Sequence, residues 1–501
     1  MAKVLSPKYE LAKPHPFTSD GEGLMRVSTN PDLHPPEVHL LSNGRYHVMV
    51  SSAGGGYSRW RDLAVTRWRE DATCDNWGTF IYLRDLATGE FWSAAHQPCR
   101  SANTGSEAIF TQARAEFRQP HPGLEVHTEI SVSPEDDVEL RRVTLTNHSN
   151  SRRTIELTTY AEIVLAAPGA DASHPAFSNL FVQTEFLHPR PAVLCTRRPR
   201  AEAEKQPWLI NLMVVQGAEH GEVSCETDRA RFIGRGRSLA EPAALQSISP
   251  LSNTTGSVLD PITALRCVVT LAPHESCRVD IVMGMEESRE AAVTLVEKYS
   301  NPRMADRALD LAWTHSQVTL RHLNASEADA QFYARLASPL IYADPARRAA
   351  STLLLANRRG QSSLWGYGIS GDLPIVLLRI SDATRIEIIN QLLRAHSYWR
   401  MRGLSVDLII LNEDSSAYRQ PLQDQIISII ASGIEAQMLD KPGGVFVRRL
   451  EQVSSEDRVL LQSVARLVLA DEDGSPVEQL KRPVPPEPII PLLAPARTPA
   501  R

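Results

Sequence analysis

Alternation of apolar and polar positions dominates the first half of the chain. Leu124, Val126, Thr128, Ile130 and Val132 alternate with Glu125, His127, Glu129 and Ser131, the period of two that marks a β-strand. Val143 and Leu145 alternate with Arg142, Thr144 and Thr146. After the turn signal His148-Ser149-Asn150-Ser151, the residues Ile155, Leu157, Thr159, Ala161 and Ile163 fall on one face and Glu156, Thr158, Tyr160 and Glu162 on the other. Such runs, separated by turns between residues 36 and 288, predict a large antiparallel β-sandwich.

The period then changes. Leu309, Trp313, Leu320 and Leu323 recur at helical spacing, so residues 300 to 325 read as a helical linker with these four on one face. From 326 to 480, short apolar runs alternate with helical patterns. The runs at 373–380, 404–411 and 443–447 read as buried strands, and 327–338, 345–358, 384–402, 421–435 and 454–470 as helices. This order predicts a smaller parallel α/β domain. The fold class is therefore β plus α/β. Residues 1–35 carry Pro7, Pro14, Pro16, Pro31 and Pro35, with Pro36 next, and residues 481–501 hold seven prolines; both read as extended segments.

Composition narrows the function classes. The chain has 501 residues, 22% of them charged, and a net charge of −6. It has no long basic run, which argues against nucleic acid as a partner. No window approaches 18 consecutive apolar residues, so direct membrane insertion is not expected. The six cysteines show no CxxC spacing, and a reducing, cytoplasmic setting is the simplest reading. His174, His315 and His396 have no metal-ligand spacing, and no nucleotide fingerprint surrounds Gly234-Arg235-Gly236. No metal or cofactor is expected.

One stretch, residues 38 to 93, concentrates unusual chemistry. It holds four of the eight tryptophans (Trp60, Trp68, Trp77 and Trp92) and a triple glycine, Gly54 to Gly56. Sugars offer apolar faces to flat rings and hydroxyls to Arg, Asp and Asn. Tyr57, Arg59, Trp60, Trp68, Arg69 and Trp77 are therefore candidate carbohydrate contacts. The alternative is that the tryptophans are core and the glycines a turn or bulge. Trp365 and Tyr367, in the glycine-rich segment 365–372, extend the candidate set. Asp372, Glu413 and Asp414 are the carboxylates best placed for glycoside chemistry, with Asp382 at the end of the 373–380 run. Ligands of open α/β sheets bind at such strand ends, although helix caps and loop acids have the same appearance.

Leu-Leu-Ser-Asn-Gly-Arg-Tyr-His-Val-Met-Val (40–50), Gly-Gly-Gly-Tyr-Ser (54–58), Trp-Arg-Glu-Asp (68–71), Asp-Asn-Trp-Gly (75–78) and Tyr-Leu-Arg-Asp (82–85) resemble the middle section of cyclic β-1,2-glucan synthases. More broadly they resemble the amino-terminal sandwich of glycoside hydrolase family 94, formerly glycosyltransferase family 36. Asp-Leu-Ala-Trp-Thr-His-Ser-Gln (310–317) and Trp-Gly-Tyr-Gly-Ile-Ser-Gly-Asp-Leu-Pro (365–374) extend the resemblance to about residue 480. It implies a segment that holds β-glucan or an oligosaccharide beside the other domains of a glucan synthase. Family members that break glucosidic bonds use a general-acid Asp in a Gly-Asp-Trp-Asn-Asp type of motif. Here Leu-Pro follows Gly371-Asp372, so that role is not carried over. An active phosphorylase or glycosyltransferase and a purely structural spacer are the alternatives.

Overall fold

The computed structural model describes residues 25–481 except 102–104, 189, 200, 202–203, 205, 415–420 and 434. The prolines before residue 25 and the proline-rich segment after 481 lie outside the described residues. The chain divides into two compact units. One comprises residues 1–342 and 394–404, the other residues 343–393 and 405–501.

The first unit is built on two large sheets. In one, nine strands run in the order Arg26–Ser28, Glu107–Phe110, Ala115–His121, Leu124–Val132, Val138–Asn147, Ser276–Glu286, Trp208–Gln216, Ala192–Arg197 and Val182–Leu187, all antiparallel. The other centres on the long strand Arg153–Ala166, which pairs with Pro261–Leu271 and with Phe80–Asp85. Beyond Leu63–Thr66 it continues through Gly56–Trp60 and Tyr46–Ser51 to Val38–Ser42. The alternating residues Leu124, Val126, Ile130, Val143, Leu145, Ile155, Leu157 and Ile163 meet in one core between the sheets. This is the sandwich that their spacing predicts.

Arg153–Ala166 departs from the simple pattern, because its second face is buried too. Residues 229–251 fold over that face, and Tyr160 packs with Phe80, Tyr82, Phe232 and Leu245. Its acids are buried because arginines meet them. Glu156 pairs with Arg84 at 2.8 Å, and Glu162 with Arg67 at 2.6 Å and Arg229 at 2.7 Å. A buried carboxylate is tolerated only with such partners.

Helices Arg289–Tyr299 and Pro302–His322 cover the outer face of the nine-stranded sheet, where Leu295, Val296, Tyr299 and Leu309 pack on Leu140, Ile210 and Val282. The buried stripe of the longer helix is Ala305, Ala308, Leu309, Ala312, Ser316, Thr319 and Leu320. Small residues let this helix lie close to its support. Trp313 falls beside the stripe and is 56% exposed, so it does not share the buried face expected of it.

The second unit holds a four-stranded parallel sheet in the order Val445–Arg449, Asp407–Asn412, Ile375–Ile380, Leu467–Ala470. Its core joins Leu377, Ile409, Leu411, Phe446, Leu460 and Leu461. The expected helix at 454–470 ends at Val464. Leu467–Ala470 is instead the fourth strand, pairing with Val376–Arg379. The apolar run Leu-Val-Leu-Ala continues the helical pattern in sequence and gives no sign of the break at Ala465.

Candidate functional site

The triple glycine shapes the strand entry that carries the candidate aromatics. Gly56 has φ +148, and a Cβ there would lie 1.9 Å from the Met49 carbonyl oxygen. A Cβ on Gly55 would lie 2.6 Å from Asp75 Oδ1. Only glycine lets these backbones meet, so the glycines serve internal packing. Asp75 is buried at this contact. Ser51 donates to it at 2.5 Å and Tyr342 at 2.6 Å. Burial pushes its carboxyl pKa up to about 6, against the pull of those two donors.

Tyr342 also begins an aromatic arc. Its ring meets Trp68 edge-on at 5.8 Å, and Trp68 meets Tyr57 edge-on at 5.5 Å. Edge-to-face contacts at this separation are the favoured geometry. The Arg59 guanidinium lies 4.5 Å from the centre of the Tyr57 ring. Tyr57, Arg59, Trp68 and Arg69 line one cleft together with Arg67 and Asp171. It encloses about 40 Å³, little more than the ~30 Å³ share of one water.

Arg67 anchors the floor of the cleft. Besides Glu162 it reaches Asp171 at 3.1 Å and Asn179 at 2.7 Å. Burial opposes its charge, but the Asp171 and Glu162 carboxylates outweigh burial and raise its pKa above the ordinary value. Composition and spacing gave no notice of Arg67, Asp171 or Tyr342, because the three are distant in sequence and only the fold joins them.

Residues 21–302 match the family described as Glycosyl hydrolase 94, supersandwich domain. The chain belongs to that family. It is 36% identical to "Cyclic beta-(1,2)-glucan synthase NdvB" of Rhizobium meliloti (strain 1021), over 91% of this chain and 16% of that protein. It is 25% identical to "N,N'-diacetylchitobiose phosphorylase" of Vibrio proteolyticus, over 53% of this chain and 33% of that protein, and 23% identical to "Solabiose phosphorylase" of Paenibacillus borealis, over 57% and 36%. The chain thus spans between about a sixth and a third of the length of these relatives, and it is a carbohydrate-related segment.

Within the supersandwich the remaining candidates separate. Trp60 is 5% exposed, donates from Nε1 to Asp137 at 2.7 Å and has Arg61 over its ring. It is a core residue, with no face open to a ligand. Trp77 is half-buried, with the exposed Arg69 at 5.9 Å from its ring centre.

In the α/β unit, Trp365 is 63% exposed and donates from Nε1 to the Ser370 carbonyl at 3.3 Å. Gln361 donates to Asp372 at 3.0 Å in the same loop. Tyr367 is half-buried and donates to Asp457 at 2.9 Å. Glu413 is held by Arg379 in a two-point pair at 2.9 and 3.0 Å. Asp414 follows it past the strand end, with its backbone N–H on the Asn412 side chain. Asp382 caps the following turn by accepting from the Thr384 N–H at 2.8 Å. No helix among the described residues is long and apolar enough to cross a membrane. No group of three His, Cys, Asp or Glu side chains among them could hold a metal ion.

Proposed function

We propose that this chain holds β-glucan for a cyclic β-1,2-glucan synthase and contributes grip and scaffolding to it, without a complete catalytic centre of its own. The observation that carries this reading is the half-buried Trp68 ring, braced by the buried Tyr57 and Tyr342 rings, beside Arg59, Arg69 and the Arg67–Asp171 pair. A ring for the apolar face of a sugar lies there beside donors and acceptors for its rim. In this reading Arg59, Trp68, Arg69 and Trp77 form the holding surface, and the buried Tyr57 and Trp60 are part of its support. The exposed Trp365 ring, edged by Gln361 and Asp372, offers a second holding point in the α/β unit, with Tyr367 bracing it. No catalytic role is proposed for Asp372, Glu413 or Asp414.

The test is a calorimetric titration of the chain with linear β-1,2-glucan, followed by addition of phosphate and assay for glucose 1-phosphate. Binding without product is expected. Product formation would overturn the division of labour and favour a phosphorylase. Absence of binding would leave a spacer.

A further inference from the structure

A second cavity opens in the supersandwich at the turn joining Ala115–His121 to Leu124–Val132. It measures about 420 Å³, within the ~300–1,000 Å³ of small-molecule sites. Glu107, Arg118, Gln119, His121, Glu125 and His148 supply its polar lining, and Leu124 and Pro120 its apolar part. We infer that this cavity is a second carbohydrate site, one that takes a neutral, hydroxyl-rich ligand. The inference rests on the glucan-holding reading above and extends it to a separate place on the same sandwich.

Three observations support it. Glu107 and Arg118 are direct partners across paired strands, where opposite charges ordinarily join. Yet neither forms an ion pair within 4 Å among the described residues. The neighbouring acid Glu116 is instead taken by His127 at 2.9 Å. A carboxylate and a guanidinium therefore line one cavity with both hydrogen-bonding edges available. Next, the walls are held. Ser106 donates to Gln119 Oε1 at 2.7 Å, which leaves the amide nitrogen as a donor. His121 stacks on the buried Trp92 at 3.9 Å and 12°, so its ring is a fixed surface. Finally, the charges select the ligand. An anion would face Glu107, and a cation would face Arg118, while Glu125 is already met by His148 at 3.0 Å. A vicinal diol donates to carboxylates and accepts from guanidinium and amide at once.

The position gives the site a use. Arg153 opens the long strand Arg153–Ala166 and donates to the Pro122 carbonyl in the turn beside this cavity. Val164, near the other end of that strand, lines the aromatic cleft. Residues 153 to 164, at about 3.3 Å each, set the two sites about 35 Å apart. One glucan chain touching both would be held more tightly than either site alone could hold it, because the second contact becomes intramolecular.

The test is calorimetry of the full chain with linear β-1,2-gluco-oligosaccharides, glucose serving as the monomer control. Four variants are compared with wild type, namely E107Q/R118M, W68A, their combination and H148A, with circular dichroism as the folding check. The double variant is expected to lose one binding site per chain, or to weaken that site at least about tenfold, as loss of hydrogen bonds to charged groups should. W68A is expected to remove a different site, and the losses should add. H148A, a change at the exposed rim, should weaken the same site a few-fold and keeps the test valid should the double variant fail to fold. If E107Q/R118M and H148A leave binding unchanged while W68A reduces it, this inference falls and the glucan-holding reading stands. If only W68A is silent, the aromatic cleft is the site that falls. If wild type binds no oligosaccharide, both fall.

Discussion

Tyr342 donates its phenolic proton to the buried Asp75 carboxylate across 2.6 Å, and so ties the end of a helical segment to the loop that backs the triple glycine. The contact has a pH signature. Asp75 titrates near 6 in the folded chain against an ordinary 3.8. Below about pH 4 both folded and unfolded chains hold this proton. As pH rises from about 4 to 6, the unfolded chain releases it first, so stability falls, by about 3 kcal/mol in all, and then levels off. Asp75→Asn should flatten this fall. Denaturant titrations of both proteins at pH 4, 5, 6 and 7 check it; equal slopes would refute it.

Trp60 and Trp68 should respond in opposite ways to the same truncation. Trp60→Ala empties a core position and strips Asp137 of a donor, and should cost about 3–5 kcal/mol of stability with glucan affinity unchanged in the folded fraction. Trp68→Ala should cost less stability, since its ring is only half-buried against Tyr57 and Tyr342, and weaken glucan binding about tenfold, the equivalent of one lost stacking contact. Thermal unfolding and calorimetry on the two variants separate the roles.

Arg67→Met should destabilise the supersandwich by about 3–5 kcal/mol, because Glu162 and Asp171 would keep their burial and lose their common partner. Adding Glu162→Gln and Asp171→Asn should recover part of that loss. Denaturation midpoints of the single and triple variants read the difference; no recovery would mean that the arginine acts through packing alone.

Gly56→Ala should cost about 2 kcal/mol or more, since the new Cβ meets the Met49 carbonyl and the backbone angle is foreign to alanine. Gly44→Ala shares the positive φ, at +90, but meets nothing within 4 Å, and should cost less. The ratio of the two losses isolates close packing from backbone strain.

The sandwich was legible because its core alternates with period two and its turns are polar. The parallel sheet was legible in three of its strands for a similar reason, with Ile375–Ile380, Asp407–Asn412 and Val445–Arg449 as compact apolar runs. The fourth was hidden, since only Ala465-Arg466 separates Leu467–Ala470 from the helix, with no glycine or proline to mark the break. Burial of the second face of Arg153–Ala166 was also illegible. Glu156 and Glu162 look solvated until Arg84, Arg67 and Arg229 arrive from distant strands. The same limit applied to the candidate site. Aromatic content singled out the stretch 38–93, but only three-dimensional packing tells Trp60, walled in by Arg61 and Asp137, from Trp68 on the cleft.

The order of the parallel sheet leaves Val445–Arg449 at one border. Its outer side is covered at Val445, whose carbonyl accepts from the Asp440 N–H, and the rest of a border strand is an invitation to another copy's strand. This one ends in Arg448 and Arg449, and Arg448 is anchored to Asp440 at 2.7 Å. Two adjacent cations are a poor template for self-addition, so this border of the α/β unit should resist pairing with a second copy's strand.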